Sequence, residues 1–280
     1  MSFYISLSGL KAAQTDLATI SNNVANVNST GFKKSQANFG DIFAAAPMQT
    51  TQQVSGQGVR IQGISQQFTQ GTTEGTDNTL DLAITGEGFF TVKRDADNQV
   101  SYTRNGAFSV TGDRYVVDTT GARLQVIPVD PATGDPTGTA PYTTASLSDL
   151  QIPTNWPDGG TGNQLSSVGV SENGDITGVY ADGTTVHLGM TAMAAFNSQD
   201  GLRQQGDAHW TATAASGDPL IGTANSGLFG SVNSGTLERS NVDITEELVA
   251  LISAQRNFQA NAKAIEAANT LSTTIVNMRS

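Results

Sequence analysis

Two histidines, His187 and His209, and a large set of carboxylates are where acid–base or metal chemistry would have to start in this 280-residue chain, which has no cysteine. A metal site needs several ligands converging, and a general base needs a partner that orients it. His187 stands between Val186 and Leu188 in alternating apolar sequence, and His209 directly precedes Trp210. Neither has a second histidine nearby in sequence, so each reads as a structural or surface residue. Asp95, Asp97 and Asp113 fall beside turns, where aspartate is favoured for its own backbone hydrogen bonds. There is no Gly-x-Ser-x-Gly elbow and no P-loop. Gly86-Glu87-Gly88 runs into Phe89 and Phe90 with no helix to follow, which makes it a turn between strands rather than a phosphate cradle. A glycosidase-type carboxylate pair is the one hydrolytic chemistry left open. The expectation is no catalytic residue, no cofactor and no metal site.

The other concentration of polar groups is Asn22, Asn23, Asn26 and Asn28. One reading is helix-ending chemistry on a solvated face. The other is a set of amides that donate and accept between neighbouring copies of the chain. What positions them is an amphipathic helix over residues 3 to 27, in which Phe3, Leu7, Leu10, Leu17, Ile20, Val24 and Val27 recur at helical steps. A second such stripe, Ile244, Leu248, Leu251, Phe258, Ile265, Leu271, Ile275 and Met278, predicts a helix over 244 to 278. An apolar stripe at this period marks one buried face, and neither can stay alone in water. The two terminal helices are expected to pair. The expected assembly interface is Leu7, Leu10, Leu17, Ile20 and Val24 with Leu248, Leu251, Phe258, Ile265 and Ile275, and with Asn22, Asn23 and Asn26 beside it. Asp243 caps the second helix, with Glu246 at capping-box spacing and Arg279 suited to the dipole at its end.

Charge separates these ends from the rest. Net charge is −11, of which residues 1–40 carry +2, residues 241–280 carry −1 and the middle −12. Near-neutral helices can crowd together while an acidic body keeps the assembly soluble. No basic patch with interleaved aromatics points to nucleic acid. No apolar run reaches the roughly 18–20 residues that span a bilayer, and the N-terminus has no secretory signal pattern. Membrane insertion is not expected.

Between the helices, residues 32–75 read as an extended connecting segment with little helix, passing Phe32, Phe39, Ile42 and Phe43. From Leu80 the period becomes two. Leu82 and Ile84, then Phe89, Phe90 and Val92, make a strand pair broken at Gly86-Glu87-Gly88. Asn105-Gly106 reads as a hairpin turn, as do Thr120-Gly121, Asn173-Gly174 and Asp182-Gly183. The fold class is α+β: long N- and C-terminal helices packed as a coiled-coil-like core, with a mainly antiparallel β domain between them. Its parts are 1–31, an assembly helix; 32–75, the connecting segment; 76–235, the β domain; and 236–280, the second assembly helix.

Three stretches carry a resemblance. Ser21-Asn22-Asn23-Val24-Ala25-Asn26-Val27-Asn28-Ser29-Thr30-Gly31-Phe32-Lys33 resembles the N-terminal signature of the bacterial flagellar rod and hook proteins. Ser240-Asn241-Val242-Asp243-Ile244-Thr245-Glu246-Glu247-Leu248-Val249 and Gln255-Arg256-Asn257-Phe258-Gln259-Ala260-Asn261-Ala262-Lys263 resemble their C-terminal one. Asp81-Leu82-Ala83-Ile84, Gly86-Glu87-Gly88-Phe89-Phe90 and Tyr102-Thr103-Arg104-Asn105-Gly106 are similar to their β core. Within the family, Ser8-Gly9-Leu10-Lys11-Ala12-Ala13 and Phe39-Gly40-Asp41-Ile42-Phe43 look most like a hook subunit, here in a short form with one β domain and no outer domain. A distal rod protein is the alternative.

The resemblance implies a structural, non-enzymatic subunit of the flagellum that polymerises with itself into a helical tube acting as a flexible torque-transmitting joint. It implies type III export without a cleaved signal, and contacts with distal rod, hook cap and hook–filament junction proteins and with the export apparatus. The paired helices would line the tube. The competing reading is a soluble carbohydrate-binding or hydrolytic β domain whose helical ends only dimerise.

Overall fold

A computed structural model of the chain describes residues 2–42, 56–95, 98–138, 140–156 and 162–278. Phe43, Asp97 and Arg279 lie outside the described residues, as does the side chain of Ile275. By contact the chain divides into two compact units: residues 1–27, 34–67 and 242–280 form one, and 28–33 with 68–241 form the other.

The first unit is helical. Helix α1 runs Ser2–Ala25 and α2 runs Ile244–Asn277. The start of α2 follows from Asp243, whose carboxylate Oδ1 accepts the backbone N–H groups of Thr245 at 2.7 Å and Glu246 at 3.2 Å. Those two donors have no partner within the helix, and their bonds, Glu246's first, hold the Asp243 carboxyl below its ordinary pKa. Glu246 does not complete the expected capping box; its carboxylate accepts from Lys34 at 3.2 Å. The segment expected only to connect folds here as a two-stranded antiparallel hairpin, β1 Ser35–Asp41 with β2 Val59–Gln66. A lone hairpin is marginal in water, and this one packs on α1.

The second unit is all antiparallel in its described strand pairs. In chain order come β3 Thr73–Gly75, β4 Leu82–Thr85, β5 Phe89–Lys93, β6 Val100–Thr103, β7 Ser109–Val110, β8 Val116–Val117 and β9 Arg123–Ile127. They are followed by β10 Ser148–Asp149, β11 Asn155–Trp156, β12 Asn163–Val170, β13 Asp175–Tyr180, β14 Thr185–Thr191 and β15 Met193–Ala195. The last are β16 Arg203–Gly206, β17 His209–Thr211, β18 Leu220–Gly222, β19 Ser231–Ser234 and β20 Thr236–Glu238. The main sheet orders them β11-β12-β13-β14-β9-β5-β6-β17-β16. The closing strands return to the opening ones: β19 pairs with β4 and β20 with β3.

Strand β5 shows why one sheet carries two cores. Successive side chains on a strand point to opposite faces. Phe90 joins Leu82, Ile84, Phe108, Leu124 and Ile176 on one side, and Phe89 joins Tyr102, Phe196 and Trp210 on the other. The second group is held by edge-to-face contacts, with Phe89 and Trp210 at 5.8 Å and Tyr102 and Phe196 at 4.8 Å between centroids.

Two turn expectations need correcting. Strands β4 and β5 do not pair with each other across Gly86-Glu87-Gly88; β4 pairs with β19, and β5 with β6, β9 and β15. Asn105-Gly106 is no hairpin turn either, since β6 pairs with β5 and β17 while β7 pairs with β8. Asn105 is buried and its side-chain oxygen accepts from Ala107 N at 3.1 Å. Gly106 lies so close to Leu82 that an added Cβ would sit 1.6 Å from the Leu82 carbonyl oxygen. That glycine serves close backbone approach, which no short-range turn rule detects. The other three turns do close hairpins, β8–β9, β12–β13 and β13–β14.

Candidate assembly interface

The helices α1 and α2 run antiparallel. Near one end Asn23 Nδ2 donates to Glu247 Oε2 at 3.1 Å. Near the other, a Cβ at Gly9 would meet Asn261 Oδ1 at 2.8 Å, so the backbone of α1 comes close to that side chain. Both pairs obey one register, in which the two residue numbers add to 270. Among the positions of α2 that are not exposed, Glu247, Leu251, Ala254, Phe258, Asn261, Ile265 and Ala268 keep an unbroken four-three alternation, with Ala250 and Ala262 beside them. Those of α1 include Leu10, Ala13, Leu17, Ile20 and Val24 at the same alternation. That is a coiled-coil seam with small residues, a glycine and an amide among its members. Among its apolar members only Ala13, Ile20 and Ala254 are fully buried.

The expected interface residues divide accordingly. Leu251, Phe258 and Ile265 are on the seam, opposite Leu7, Leu10, Leu17, Ile20 and Val24. Leu248 is off it and 45% exposed, and Ile244 and Leu271 are off it too, at 47% and 64%. The stripe read from sequence mixed two faces because glutamate and asparagine occupy seam positions where a leucine would be looked for. In length the helices are unequal, 24 against 34 residues. In this register the last turns of α2, from 269 onward, pass beyond the start of α1.

Asn23 is not free to contact another copy. It is buried, and besides Glu247 it bonds both backbone groups of Ser35, its Nδ2 to the carbonyl at 2.8 Å and its Oδ1 from the N–H at 2.9 Å. Lys34 Nζ then closes on Glu247 Oε1 at 2.7 Å. This polar lock fixes the register of α1, α2 and the root of the hairpin, the use of a buried polar contact best attested in coiled coils. Asp16 lies close enough that burial, with the Glu247 charge adding to it, raises its pKa. Asn26 Nδ2 bonds back to the Asn22 carbonyl at 2.9 Å, which is helix-ending chemistry, and Asn22 itself is exposed.

Sequence reasoning missed a second constellation, inside the β unit. Lys33 Nζ lies 2.7 Å from Glu238 Oε1, and Arg104 Nη1 lies 3.3 Å from Glu238 Oε2, all three side chains being essentially inaccessible. Glu238 Oε1 also accepts the N–H of Gly71 at 2.8 Å, and Lys33 donates to the Thr69 carbonyl at 2.8 Å. Arg104 donates to the Gly86 carbonyl at 2.8 Å and lies over the Phe89 ring. One residue comes from each of the three stretches singled out in the sequence or its edge. Burial pulls both Lys33 and Arg104 below their ordinary pKa values, with Glu238 opposing. Such a cluster positions backbone; it offers no reacting group.

Neither histidine stands alone. His187 Nδ1 is 2.7 Å from Asp175 Oδ2, and buried His209 Nε2 is 2.6 Å from Asp118 Oδ2. Asp118 Oδ1 also accepts from Thr120 N, Thr120 Oγ1 and Ala122 N, which ties the β8–β9 turn. Burial would raise the Asp118 pKa, but the bonds from His209 and Thr120 outweigh it and leave it lowered. A carboxyl with a lowered folded pKa stabilises above its unfolded value and loses that contribution as pH falls through the folded one. Asp118→Asn should therefore lower stability near neutrality, with the deficit shrinking as pH falls below the ordinary 3.8. Urea midpoints measured across that range check it; a deficit constant with pH would show that the charge is irrelevant. Among the described residues no group of three metal-binding side chains occurs, and no helix is long and apolar enough to cross a membrane.

Three family profiles match the chain in order: "Flagella basal body rod protein" over residues 3–33, "Flagellar hook protein FlgE/F/G D1 domain" over 83–178, and "Flagellar basal body rod FlgEFG protein C-terminal" over 233–278. The flagellar hook protein FlgE of Salmonella typhimurium is 30% identical over 412 aligned positions that take in all of both chains. The flagellar basal-body rod proteins FlgG of Agrobacterium fabrum and Bacillus subtilis are each 32% identical, over 97% of this chain and 96% of the first, and 99% and 98% for the second.

Proposed function

The chain belongs to the bacterial flagellar rod and hook protein family, and from that premise we propose that it is a hook subunit, a non-enzymatic building block that polymerises into a flexible tube joining rod to filament. The observation that carries the self-assembly part is the helical pair, which leaves large apolar side chains exposed on both helices. What favours hook is the local sequence: Phe39-Gly40-Asp41-Ile42-Phe43 comes shortly after the first signature, and only the modest stretch 44–57 separates it from Gly58-Val59-Arg60. The 412-position alignment against 280 residues means that the hook relative carries at least 132 positions this chain skips, in keeping with a short form lacking an outer domain.

That same count supports a second reading. The rod relatives align over only 286 and 293 positions, with no such excess. On either reading the subunit would be exported through the flagellar apparatus and meet its neighbours in the basal body or hook. Electron microscopy of the concentrated chain decides between them. Curved tubes that change curvature support the hook, and straight, stiff ones the distal rod. Discrete particles at every concentration would sink both.

A further inference from the structure

We propose that the seating of α2 on α1 switches the β1–β2 hairpin from open to ordered, with Glu247 as the contact that carries the switch. This stands on the geometry of the first unit and not on the hook reading above. Apolar burial holds the hairpin only weakly. Of β1 only Ala37 is buried, and no residue of β2 is. Phe39, Ile61 and Ile64, its largest apolar side chains, are exposed by 39%, 44% and 57%. Among the described strands, β1 and β2 pair with each other alone, so neither is braced by a third. A two-stranded hairpin of that kind does not hold its shape in water unaided.

Two polar tethers to α1 hold it instead. Toward the tip, the backbone N–H of Val59 donates to Ser8 Oγ at 3.2 Å. At the root, Asn23 bonds both backbone groups of Ser35. Those groups therefore point away from β2, and the Asn23 carboxamide serves β1 as one rung of a missing third strand. From Ser8 to Asn23 is about 22 Å along the helix. From Ser35 to Asp41, which pairs with Val59, is about 20 Å along β1. The hairpin thus lies lengthwise on α1, pinned at both ends.

The root tether depends on α2. Asn23 Nδ2 has two hydrogens; one goes to Ser35 and the other to Glu247 Oε2. Glu247 Oε1 takes Lys34 Nζ, and the Lys34 carbonyl accepts from Gln67 N at the mouth of the hairpin at 2.8 Å. The Glu247 side chain is 3% exposed, against 70% for Glu246, the other carboxylate on Lys34. A water-exposed ion pair fixes little, whereas a buried carboxylate with an amide and an ammonium donating to it holds both donors in one geometry. With α2 away, Asn23 and Lys34 are solvated in many orientations, and β1 loses the fixed amide at its root. The hairpin is then a segment that orders when α2 arrives. Such coupling is reciprocal, so an open hairpin also loosens the start of α2.

Hydrogen exchange on the full chain in low urea, read fragment by fragment, tests this. In the parent, fragments 35–41 and 59–66 should exchange through the same opening as fragment 247–265 of α2, all quickening together as urea rises. Glu247→Ala should quicken the two hairpin fragments about tenfold or more while residues 254–265 keep their rate. Leu251→Asp combined with Phe258→Asp undocks α2 at residues that make none of the hairpin's tethers, and should release the hairpin as fully. Hairpin fragments that open independently of α2 in the parent, or that stay protected in this second variant, would overturn the proposal. If Glu247→Ala frees α2 as well, Lys34→Met decides, because it leaves the Asn23–Glu247 bond in place. Faster exchange confined to the hairpin then upholds the switch, and an unchanged hairpin overturns it.

Discussion

Glu238→Gln is expected to destabilise the β unit by about 3–5 kcal/mol, the cost of leaving buried charge without its partner. Glutamine keeps the shape and can still accept the Gly71 N–H, so packing is nearly unchanged and the loss isolates the charge. Two cations, Lys33 and Arg104, would then share a dry site with no carboxylate between them. Lys33→Met should cost much less, since Arg104 and Glu238 remain as a neutral pair. Urea titration reads this as a lower midpoint at unchanged slope. The pH dependence adds a second readout. Burial already holds Lys33 below its ordinary 10.5, so the folded chain gives up that proton before the unfolded chain does. Where the unfolded state binds more protons, stability rises with pH. Removing the counter-charge widens the gap, so the Glu238→Gln deficit should narrow as pH rises toward 10.5. Equal losses for the two variants, flat in pH, would mean that the three side chains are not coupled.

The same cluster shows what a single sequence hides. The two helices were legible because their evidence is local: a 3.6-residue apolar period, and an aspartate at the cap whose carboxylate satisfies the first free N–H groups. Short hairpins at Asn173-Gly174 and Asp182-Gly183 were legible for the same reason. Asn105-Gly106 carried the same turn signal and failed, because its glycine answers to Leu82, a tertiary neighbour. Lys33, Arg104 and Glu238 are far apart in sequence, and a charged residue is ordinarily a surface residue. The available hint was context: in a chain with only 14% charged residues, Lys33 follows Phe32 and Glu238 follows Leu237. The aspartate partners of His187 and His209 were hidden likewise, twelve and ninety-one residues away. On α2 the apolar stripe was visible but its division into a seam and an outer patch was not, since only the register to Asn23 and Gly9 decides which leucine faces inward.

That division makes the seam the place where assembly is most easily broken. Leu251→Asp combined with Phe258→Asp should abolish polymers at any concentration within about a hundredfold of the parent's threshold, with the β unit unaffected. Fully burying such a side chain contributes about 1.5–3 kcal/mol. Leu251 and Phe258 are only partly buried within one chain, so about half of that is lost at each, before any cost of placing a carboxylate there. Roughly 1.5–3 kcal/mol in total, to which the carboxylates add, reaches about a hundredfold in concentration at its upper end. The second aspartate would face the part of α1 around Ala12 and Ala13, and the first would face buried Thr19 and Ile20, one turn from Glu247 on the same face of α2. Both therefore act on the pairing of α1 with α2, on which any joining of copies through these helices depends. Circular dichroism should show lost helix while the urea transition of the β unit stays where it was. Electron micrographs should show no tubes. Tubes of normal length from this variant would mean that the paired helices are not what holds the polymer together, and a shifted β-unit transition would mean that the substitutions acted by unfolding rather than at the seam.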